Sequence, residues 1–338
     1  MLVGIGIPVG SAVALSFGWG RPLLNRVLKR MLMRNQGGPM NTSADMPLVS
    51  VAMVVYRPDL DYLRQALTSI LNQTFQQWEA LIVEDPSERM GRDVVAALGD
   101  PRLRYLANPG RTCLIGQRNQ TLAEARAELV AVLDGDDAAE PTRLQKQFEF
   151  LQRHPAVSVL GSQIRVIDPA GRPRGFRRFP LDHASIVRAM TRVVPLNHSS
   201  VMFRKSAVQA AGGYQPTAEG PAEDYHLWSR LAQRGAQFAN LAEPLVRYRL
   251  HPGQMKALDT RRTIRAVLEV KQRYWVGAMD FRARLRMLQE RLAVRLPEPL
   301  LHRLLVWTHY RDDLPGEPVR LLKRDDLPRD PVCPVRCQ

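Results

Sequence analysis

One stretch of the sequence decides the fold: Val130-Ala131-Val132-Leu133-Asp134-Gly135-Asp136-Asp137. Four apolar residues lead directly into three carboxylates that one glycine interrupts. A short apolar run bounded by Gly and Asp is typical of a buried strand. The carboxylates then lie where the strand leaves the sheet, which is the edge at which open α/β sheets bind ligands.

The residues alone allow two interpretations of these carboxylates. Three anions so close together repel one another unless a cation lies among them. A hard divalent ion with oxygen ligands, Mg²⁺ or Mn²⁺, would stabilise them and could also hold a diphosphate. The alternative is a polar turn in which Asp137 or a neighbour caps a helix that begins at Pro141. This stretch by itself leaves both interpretations open.

Before this stretch, largely apolar runs alternate with helical patterns. The runs Val49–Tyr56, Trp78–Val83 and Leu103–Leu106 predict strands. Asp59 is a natural N-cap for a helix between the first two strands, and a second helix over Arg118–Arg126 leads into the opening strand. Repeated strand–helix alternation predicts a Rossmann-like α/β fold with a mostly parallel central sheet flanked by helices.

After the carboxylates the pattern continues less regularly. A strand is predicted at Val157–Leu160, and residues 168–180 read as a basic loop with several turn signals. Ser199–Phe203 is interpreted as an edge or antiparallel strand. Glu223 and Asp224 open a predicted helix, where carboxylates are often simple caps that the helix dipole favours. That alternative stays open for Glu223 more than for Asp224.

The net charge of +15 is concentrated at the two ends of the chain. Residues 1–46 form an apolar and basic extension, interpreted either as a membrane anchor or as sequence before a true start at Met40 or Met46. Residues 47–257 form the predicted α/β domain, which is close to charge balance. Basic ends could face anionic lipid or nucleic acid. Because zinc-finger spacing and aromatic–basic RNA-binding signatures are missing from the sequence, we expect no nucleic-acid partner.

Residues 258–338 are predicted to be a basic helical region followed by a loosely ordered tail. The helices are amphipathic, and a solvated basic face is one explanation. Docking on a membrane surface is the other, with Tyr274, Trp275 and Trp307 as interfacial anchors. We therefore expect a cytoplasmic protein, at the inner face of the cell membrane if this contact is made.

An ordered set of motifs over residues 47–252 resembles the inverting family-two glycosyltransferases, which have a GT-A fold. Each motif alone is weak, but their shared order is specific. On the donor side the motifs are the opening strand at Pro47–Tyr56, the end of the second strand at Leu81–Ser87, an A-R-N-like stretch at Gly116–Asn119 and the D-x-D motif at Leu133–Asp137. They are followed by the acceptor-side pair at Gly212–Tyr214 and Glu223–Trp228, and by a closing Y-R-x-H at Tyr248–His251. The resemblance implies a GT-A fold with a C-terminal helical extension.

On the donor side, the resemblance implies a nucleotide-sugar site at the carboxyl ends of the strands. Asp136 and His251 would ligate Mn²⁺ or Mg²⁺, and Asp134 would hold the donor. The alternative for His251 is a structural role, as a partly buried histidine bonded to the backbone. Arg118 would pair with phosphate, as its fork geometry suits. The nucleotide base would be held by Val55, Tyr56 and Asp85.

On the acceptor side, the resemblance makes Asp224 the general base that takes the proton of the attacking hydroxyl. Glu223, His198 and Trp228 would line the acceptor, and a structural role for His198 is equally open. The acceptor would be a glycan or a lipid-linked glycan.

The expected function is metal-dependent inverting sugar transfer in cell-surface polysaccharide, lipopolysaccharide or glycolipid synthesis, with UDP as the family's commonest carrier. The alternative is a non-catalytic nucleotide-sugar-binding or membrane-associated protein with the same fold. Departures from the family pattern include Arg57, Pro86 and Gln117, which remove no group that the chemistry needs.

Overall fold

The computed structural model describes residues 46–251, 253–254, 260–297 and 300–301. The extension before residue 46 and Trp307 lie outside these described residues. Within the described part of the chain, no helix is both long enough and apolar enough to cross a bilayer.

The described residues form one mixed sheet of nine strands. They are β1 Val49–Val55, β2 Trp78–Glu84, β3 Leu103–Ala107, β4 Leu129–Val132, β5 Ala138–Ala139, β6 Val157–Ile167, β7 Pro173–Arg177, β8 Met202–Arg204 and β9 Gln237–Arg249. The order is β3-β2-β1-β4-β8-β6-β9-β5, with β7 paired to β6. The first four strands are mutually parallel, as predicted, while β8 runs antiparallel between β4 and β6.

Nine α-helices accompany the sheet within the described residues. They are α1 Leu60–Leu71, α2 Arg92–Leu98, α3 Leu114–Glu124, α4 Arg143–Arg153, α5 His183–Met190, α6 Lys205–Ala210, α7 Glu223–Gln233, α8 Thr260–Tyr274 and α9 Phe281–Ala293. Asp59 caps α1 as predicted, because its carboxylate accepts hydrogen bonds from the Asp61 and Tyr62 N–H groups at 3.0 and 3.1 Å.

Two apolar clusters form the core, on opposite faces of the sheet. Val51 and Met53 of β1 belong to one cluster, whereas the intervening Ala52 belongs to the other. Since successive side chains of a strand point to opposite faces, this alternation separates the clusters. Helices α1 and α4 cover the first face, and α3, α5, α7, α8 and α9 contribute to the second.

The sequence misplaced the starts of the two helices on either side of Val130–Asp137. Helix α3 begins at Leu114, four residues before the predicted start. Helix α4 begins at Arg143 rather than Pro141, and Gln73 accepts its Leu144 N–H at 2.9 Å. The alternative in which Asp137 or a neighbour caps this helix is wrong, since the Leu144 N–H is bound by Gln73, which is remote in sequence.

The predicted basic loop at residues 168–180 contains the strand β7, which pairs antiparallel with β6. A turn centred on Gly171, with φ +80°, joins the two strands. Asp168 accepts hydrogen bonds from Arg172 and Arg174 at 2.8 and 2.9 Å, so one buried carboxylate offsets the repulsion within the hairpin. Pro173 and Gly175 conceal this strand from pattern-based prediction.

The segment Ser199–Phe203 was predicted as an edge or antiparallel strand. It begins as a 3-10 helix, His198–Ser200, and continues as the antiparallel strand β8. Because β8 lies between β4 and β6, it is an interior strand that joins the parallel half of the sheet to the rest.

Candidate active site

The carboxylates of the opening stretch form a compact cluster where β4 leaves the sheet. Asp134, Asp136 and Asp137 each place one oxygen within 4.8 Å of the others. Asp136 is partly exposed, whereas Asp137 is buried. The turn is closed by the Asp137 N–H, which donates to the Asp134 carbonyl at 3.2 Å. The chain thus turns back on itself and directs three hard oxygen donors into one space.

The electrostatics of this cluster favour a cation. Burial raises the pKa of the Asp137 carboxyl well above its usual value, and the negative charges of Asp136 and Asp134 raise it further. A divalent cation would lower the energy of all three ionised carboxylates at once. The donor set is therefore suited to Mg²⁺ or Mn²⁺, both of which prefer oxygen ligands.

His251 lies beside this cluster, as the sequence predicts. Its Nε2 is 2.9 Å from Asp136 Oδ2, and its ring meets the edge of Tyr62 with 5.3 Å between centroids. The alternative of a histidine bonded to backbone does not describe this contact, because its partner is the Asp136 carboxylate of the cluster. The predicted metal pair, Asp136 and His251, is brought together although the two residues are 115 positions apart in the sequence.

Arg249 organises the carboxylate turn, and sequence reasoning assigned it no role. Its side chain is buried, with Nε donating to the Asp136 carbonyl at 2.9 Å and Nη2 to Gln65 Oε1 at 2.8 Å. Its backbone N–H donates to Asp137 Oδ1 at 2.8 Å. The guanidinium also lies 4.3 Å from the centroid of the Tyr62 ring. The Y-R-x-H motif drew attention to this position, but its partners are too distant in sequence for any local pattern to reveal.

On the nucleotide side, Asp85 is buried at the end of β2 and is already engaged. Its carboxylate accepts hydrogen bonds from Asn108 Nδ2 at 2.8 Å, from Thr112 Oγ1 at 2.9 Å and from the Thr112 N–H at 2.8 Å. It therefore fixes the loop after β3. Oδ1 accepts two of these bonds and Oδ2 accepts one, so Oδ2 keeps a lone pair for a further donor.

Tyr56 and Val55 lie close to Asp85 at the end of β1. The Tyr56 ring lies under the Arg111 guanidinium, 4.4 Å from its centroid, and Arg57 approaches at 5.5 Å. The Val55 carbonyl accepts a hydrogen bond from Gln117 Nε2 at 3.1 Å. Gln117, a departure from the family pattern, thus ties α3 to the end of β1, which a smaller side chain could not do.

Arg118 was predicted to pair with phosphate, and the structure first pairs it with a carboxylate. Its Nη1 lies 2.5 Å from Glu223 Oε1, and both side chains are buried. The simple-cap alternative for Glu223 is therefore wrong, since its carboxylate is directed to Arg118. The buried Arg118 Nε has no hydrogen-bond partner among the described residues, which leaves one donor for an anionic ligand.

The ion pair joins the two sides of the site. Burial alone lowers the pKa of the Arg118 guanidinium, but nearby negative charges raise it above its usual value. Those charges come from Glu223, Asp134 and Asp224. Asp224 in the first turn of α7 therefore lies in the same electrostatic neighbourhood as the carboxylate at the end of β4. Its Oδ1 accepts the Tyr225 N–H at 2.7 Å.

A tight turn links α3 to the acceptor-side motifs. Gly212 and Gly213 have φ of +83° and +66°, and a Cβ on Gly213 would lie 2.6 Å from Asn119 Oδ1. Asn119 accepts the Tyr214 N–H at 2.8 Å and donates to the Tyr214 carbonyl at 3.0 Å. Both glycines are thus needed for the close approach that positions the Tyr214 ring beside Arg118.

His198 and Trp228 occupy less accessible positions than predicted. His198 is buried with Nε2 2.9 Å from the Tyr214 hydroxyl, and it lines a small cavity together with Arg118 and Asp134. Trp228 has no exposed surface and packs near the His198 ring. The placement of Trp228 on the acceptor surface is therefore wrong: it supports α7 from within the core. The motif gave its position on the helix but not which face is buried.

The fold and the site together define an α/β protein with an acidic cluster where β4 leaves the sheet. Residues 50–210 match the model of glycosyl transferase family 2. The amylovoran biosynthesis glycosyltransferase AmsE of Erwinia amylovora is 31% identical over 205 residues, which cover 60% of this chain and 76% of AmsE. The chain belongs to glycosyl transferase family 2.

Solved structures confirm the predicted GT-A fold. S. aureus TarS 1–349 in complex with UDP-GlcNAc gives a TM-score of 0.53 at 18% identity, covering 76% of this chain and 70% of that fragment. Against longer TarS the covered share of that chain is 42%. The mannosyltransferase PcManGT of Pyrobaculum calidifontis, in complex with GDP-Man and Mn²⁺, gives 0.51 at 16% identity, covering 83% of this chain and 79% of PcManGT.

Proposed function

We propose that this chain is a metal-dependent inverting glycosyltransferase. It moves a sugar from a nucleotide-diphosphate donor, UDP-sugar first, to a hydroxyl of a glycan or lipid-linked glycan in cell-surface polysaccharide, lipopolysaccharide or glycolipid synthesis. The observation that carries the proposal is the cluster of Asp134, Asp136 and Asp137, whose oxygens lie within 4.8 Å of one another with His251 in contact with Asp136. The contact of Arg118 with Glu223 supports it, because it ties the first turn of α7, which carries Asp224, to α3. The part of AmsE in amylovoran biosynthesis supports the pathway, and the complex of TarS with UDP-GlcNAc supports the nucleotide.

The donor would be held at two places, its diphosphate and its nucleoside. Mn²⁺ or Mg²⁺, when bound, supplies the positive charge that offsets the charge developing on the leaving diphosphate. Asp136 and His251 would hold this ion, an assignment that their 2.9 Å contact supports. The Mn²⁺ bound with GDP-Man in PcManGT supports the same cofactor. Asp134 would orient the donor sugar or ribose.

The chain's own residues hold the remaining parts of the donor. Asp85 would accept a hydrogen bond from the base, and Tyr56, with Val55 behind it, would pack against the base. Arg111 lies over one face of the Tyr56 ring. The nucleotide base would therefore either displace this guanidinium or pack on the opposite face of the ring. The Arg118 N–H groups that Glu223 does not use would donate to phosphate.

Asp224 would take the proton from the acceptor hydroxyl while that oxygen attacks the anomeric carbon from the face opposite the diphosphate. This displacement inverts the anomeric configuration, and the nucleotide leaves as the diphosphate. Glu223 acts as a positioning residue, since its contact with Arg118 fixes the first turn of α7 on which Asp224 lies. Positioned proton transfer of this kind contributes about 10²–10⁴-fold.

The variant Asp224→Asn tests this proposal. We expect it to lower the rate of sugar transfer about 10²–10⁴-fold while nucleotide binding in the presence of Mn²⁺ stays unchanged. Asp93→Asn is the matched control, because Asp93 lies in the first turn of α2 as Asp224 lies in that of α7. Nuclear magnetic resonance of the first product formed should show the anomer opposite to that of the donor.

Two outcomes would contradict the proposal. Full turnover in the Asp224→Asn variant would remove Asp224 from the role of base. Metal-dependent nucleotide-sugar binding by the wild-type chain without transfer to any glycan or lipid-linked acceptor would favour the non-catalytic alternative.

A further inference from the structure

Helix α9 carries an apolar stripe on its outer surface. Phe281, Leu285, Leu288 and Leu292 are exposed by 79, 44, 52 and 53%. Their spacing of four, three and four residues places them on one side of the helix. Single exposed leucines are common on soluble proteins, but a continuous apolar row along one helix marks an interaction surface.

The stripe is not the face by which α9 joins the domain. Ala283 and Met287, on the opposite side, are 1 and 8% exposed and belong to the cluster that α7 and α8 share. Glu290 is held by the buried Lys271 of α8 at 2.6 Å. Asp280 caps the helix by accepting the Ala283 N–H at 2.7 Å. These contacts fix the rotation of α9, so the stripe is held outward.

The aromatic anchors predicted from the sequence do not belong to this surface. Trp275 is 3% exposed, and its indole N–H donates to Ser229 Oγ at 2.8 Å. The Tyr274 hydroxyl is 2.9 Å from His226 Nε2. Both residues therefore stabilise packing against α7. The prediction of Trp275 as an interfacial anchor is wrong because it is buried, whereas Tyr274 is partly exposed and stays a prediction.

Positive charge flanks the stripe on both sides. At about 100° per residue, Arg282 and Arg286 lie on one side, and Arg284 and Arg291 lie on the other. The one acidic residue within α9, Glu290, is shared between Lys271 and Arg286. The partner must therefore accept apolar side chains at its centre and cations at its rim. A second copy would oppose arginines to arginines, and a nucleic acid offers no place for the leucines.

We propose that the outer face of α9 docks on an anionic lipid surface. The leucine row and Phe281 would enter the boundary between headgroups and acyl chains, with the arginines against the lipid phosphates. The contact lies in the plane of the membrane, since α9 spans 13 residues and is attached to the domain along its other face. This inference stands independently of the sugar-transfer chemistry.

Sedimentation with lipid vesicles tests the proposal on the full chain. We expect binding to vesicles of phosphatidylcholine and phosphatidylglycerol in equal parts, and weaker binding to phosphatidylcholine alone. Leu288→Ser with Leu292→Ser should weaken binding by at least about tenfold. Leu48→Ser with Leu181→Ser is the matched control, because these leucines are 40 and 46% exposed elsewhere on the domain and should leave binding unchanged.

Two further measurements separate this surface from other lipid-binding segments of the chain. Arg282→Gln with Arg291→Gln, one arginine from each side of the stripe, should reduce binding to the anionic vesicles and leave binding to phosphatidylcholine unchanged. Hydrogen exchange should slow in α9, residues 281–293, when anionic vesicles are added. Unchanged exchange in α9, or full vesicle binding by the leucine variant, would overturn the proposal. The proposal would also be overturned if the wild-type chain self-associated without binding vesicles and the leucine variant lost this self-association. That result would assign the stripe to a second copy.

Discussion

The donor side and the acceptor side of the candidate site are held in place by different means. On the donor side, the carboxylate turn Asp134–Asp137 is fixed by Arg249, which contacts Asp136, Asp137 and Gln65 through separate atoms. On the acceptor side, the first turn of α7 is tied to α3 by the buried contact between Arg118 and Glu223.

This difference predicts how each side responds to substitution. The hydrogen bonds of Arg249 to several acceptors can be lost one at a time, and each contributes about 1 kcal/mol to stability. A buried ion pair is lost at once, because removal of one partner leaves the other charged and desolvated. A single substitution on the acceptor side should therefore cause the larger loss of unfolding free energy. A single substitution on the donor side should cause the larger loss of ligand affinity.

The largest effect on stability is expected from Glu223→Gln. The buried Arg118 guanidinium would lose the carboxylate that compensates it, which should lower the free energy of unfolding by about 3–5 kcal/mol. Urea denaturation measures this change. The control is Glu88→Gln, which breaks an exposed pair with Arg57 at 3.0 Å and should leave the unfolding midpoint unchanged. Equal midpoints for the two variants would remove the proposed asymmetry.

A smaller loss of stability is expected from Arg249→Lys, with a clear effect on metal binding. Lysine keeps the charge but cannot reach the Asp136 carbonyl and Gln65 together, so about 2 kcal/mol of unfolding free energy should be lost. Since groups that orient metal ligands typically alter affinity 10–100-fold, we expect Mn²⁺ to bind about that much more weakly.

Calorimetric titration of Mn²⁺ and urea denaturation would check both effects of the Arg249 variant. Arg247→Lys is the matched control, on the same strand but partly exposed. Wild-type Mn²⁺ affinity in Arg249→Lys would show that the turn does not depend on this side chain.

The smallest effect is expected from Asp59→Ala. This change removes the N-cap of α1, the helix that carries Tyr62 and Gln65 to Arg249, and should lower the free energy of unfolding by about 1 kcal/mol. Thermal denaturation would detect it. Asp61→Ala, two residues later in the first turn and without the capping bonds, serves as the control. A loss in the control as large as in Asp59→Ala would argue against capping as the cause.

How far the sequence predicts this structure depends on whether the partners lie close in the chain. Strand β4 and the carboxylates after it were predictable, because the apolar run and its acidic end are contiguous. The contact of Asp136 with His251 was reached only through the order of the family motifs, since these residues lie on β4's turn and beyond β9. The resemblance thus supplied a pairing that periodicity cannot.

The features that the sequence did not predict depend on tertiary contacts. Nothing adjacent to Arg249 indicates that its guanidinium meets Gln65 of α1. Trp228 lies in a helix buried on nearly every side, where helical spacing does not distinguish the outer face. Gln73, which satisfies the start of α4, is likewise remote from it in sequence. In each case the deciding group comes from another element.

The central claim is that the acidic cluster after β4 is a divalent-metal and diphosphate site. Calorimetric titration of UDP, and separately of GDP, into the wild-type chain and the Asp136→Asn variant tests it most directly. We predict that nucleotide, UDP before GDP, binds the wild-type chain with Mn²⁺ present, and that binding is lost with a chelator or in Asp136→Asn. Equal nucleotide affinity with and without Mn²⁺, or undiminished affinity in Asp136→Asn, would contradict the claim.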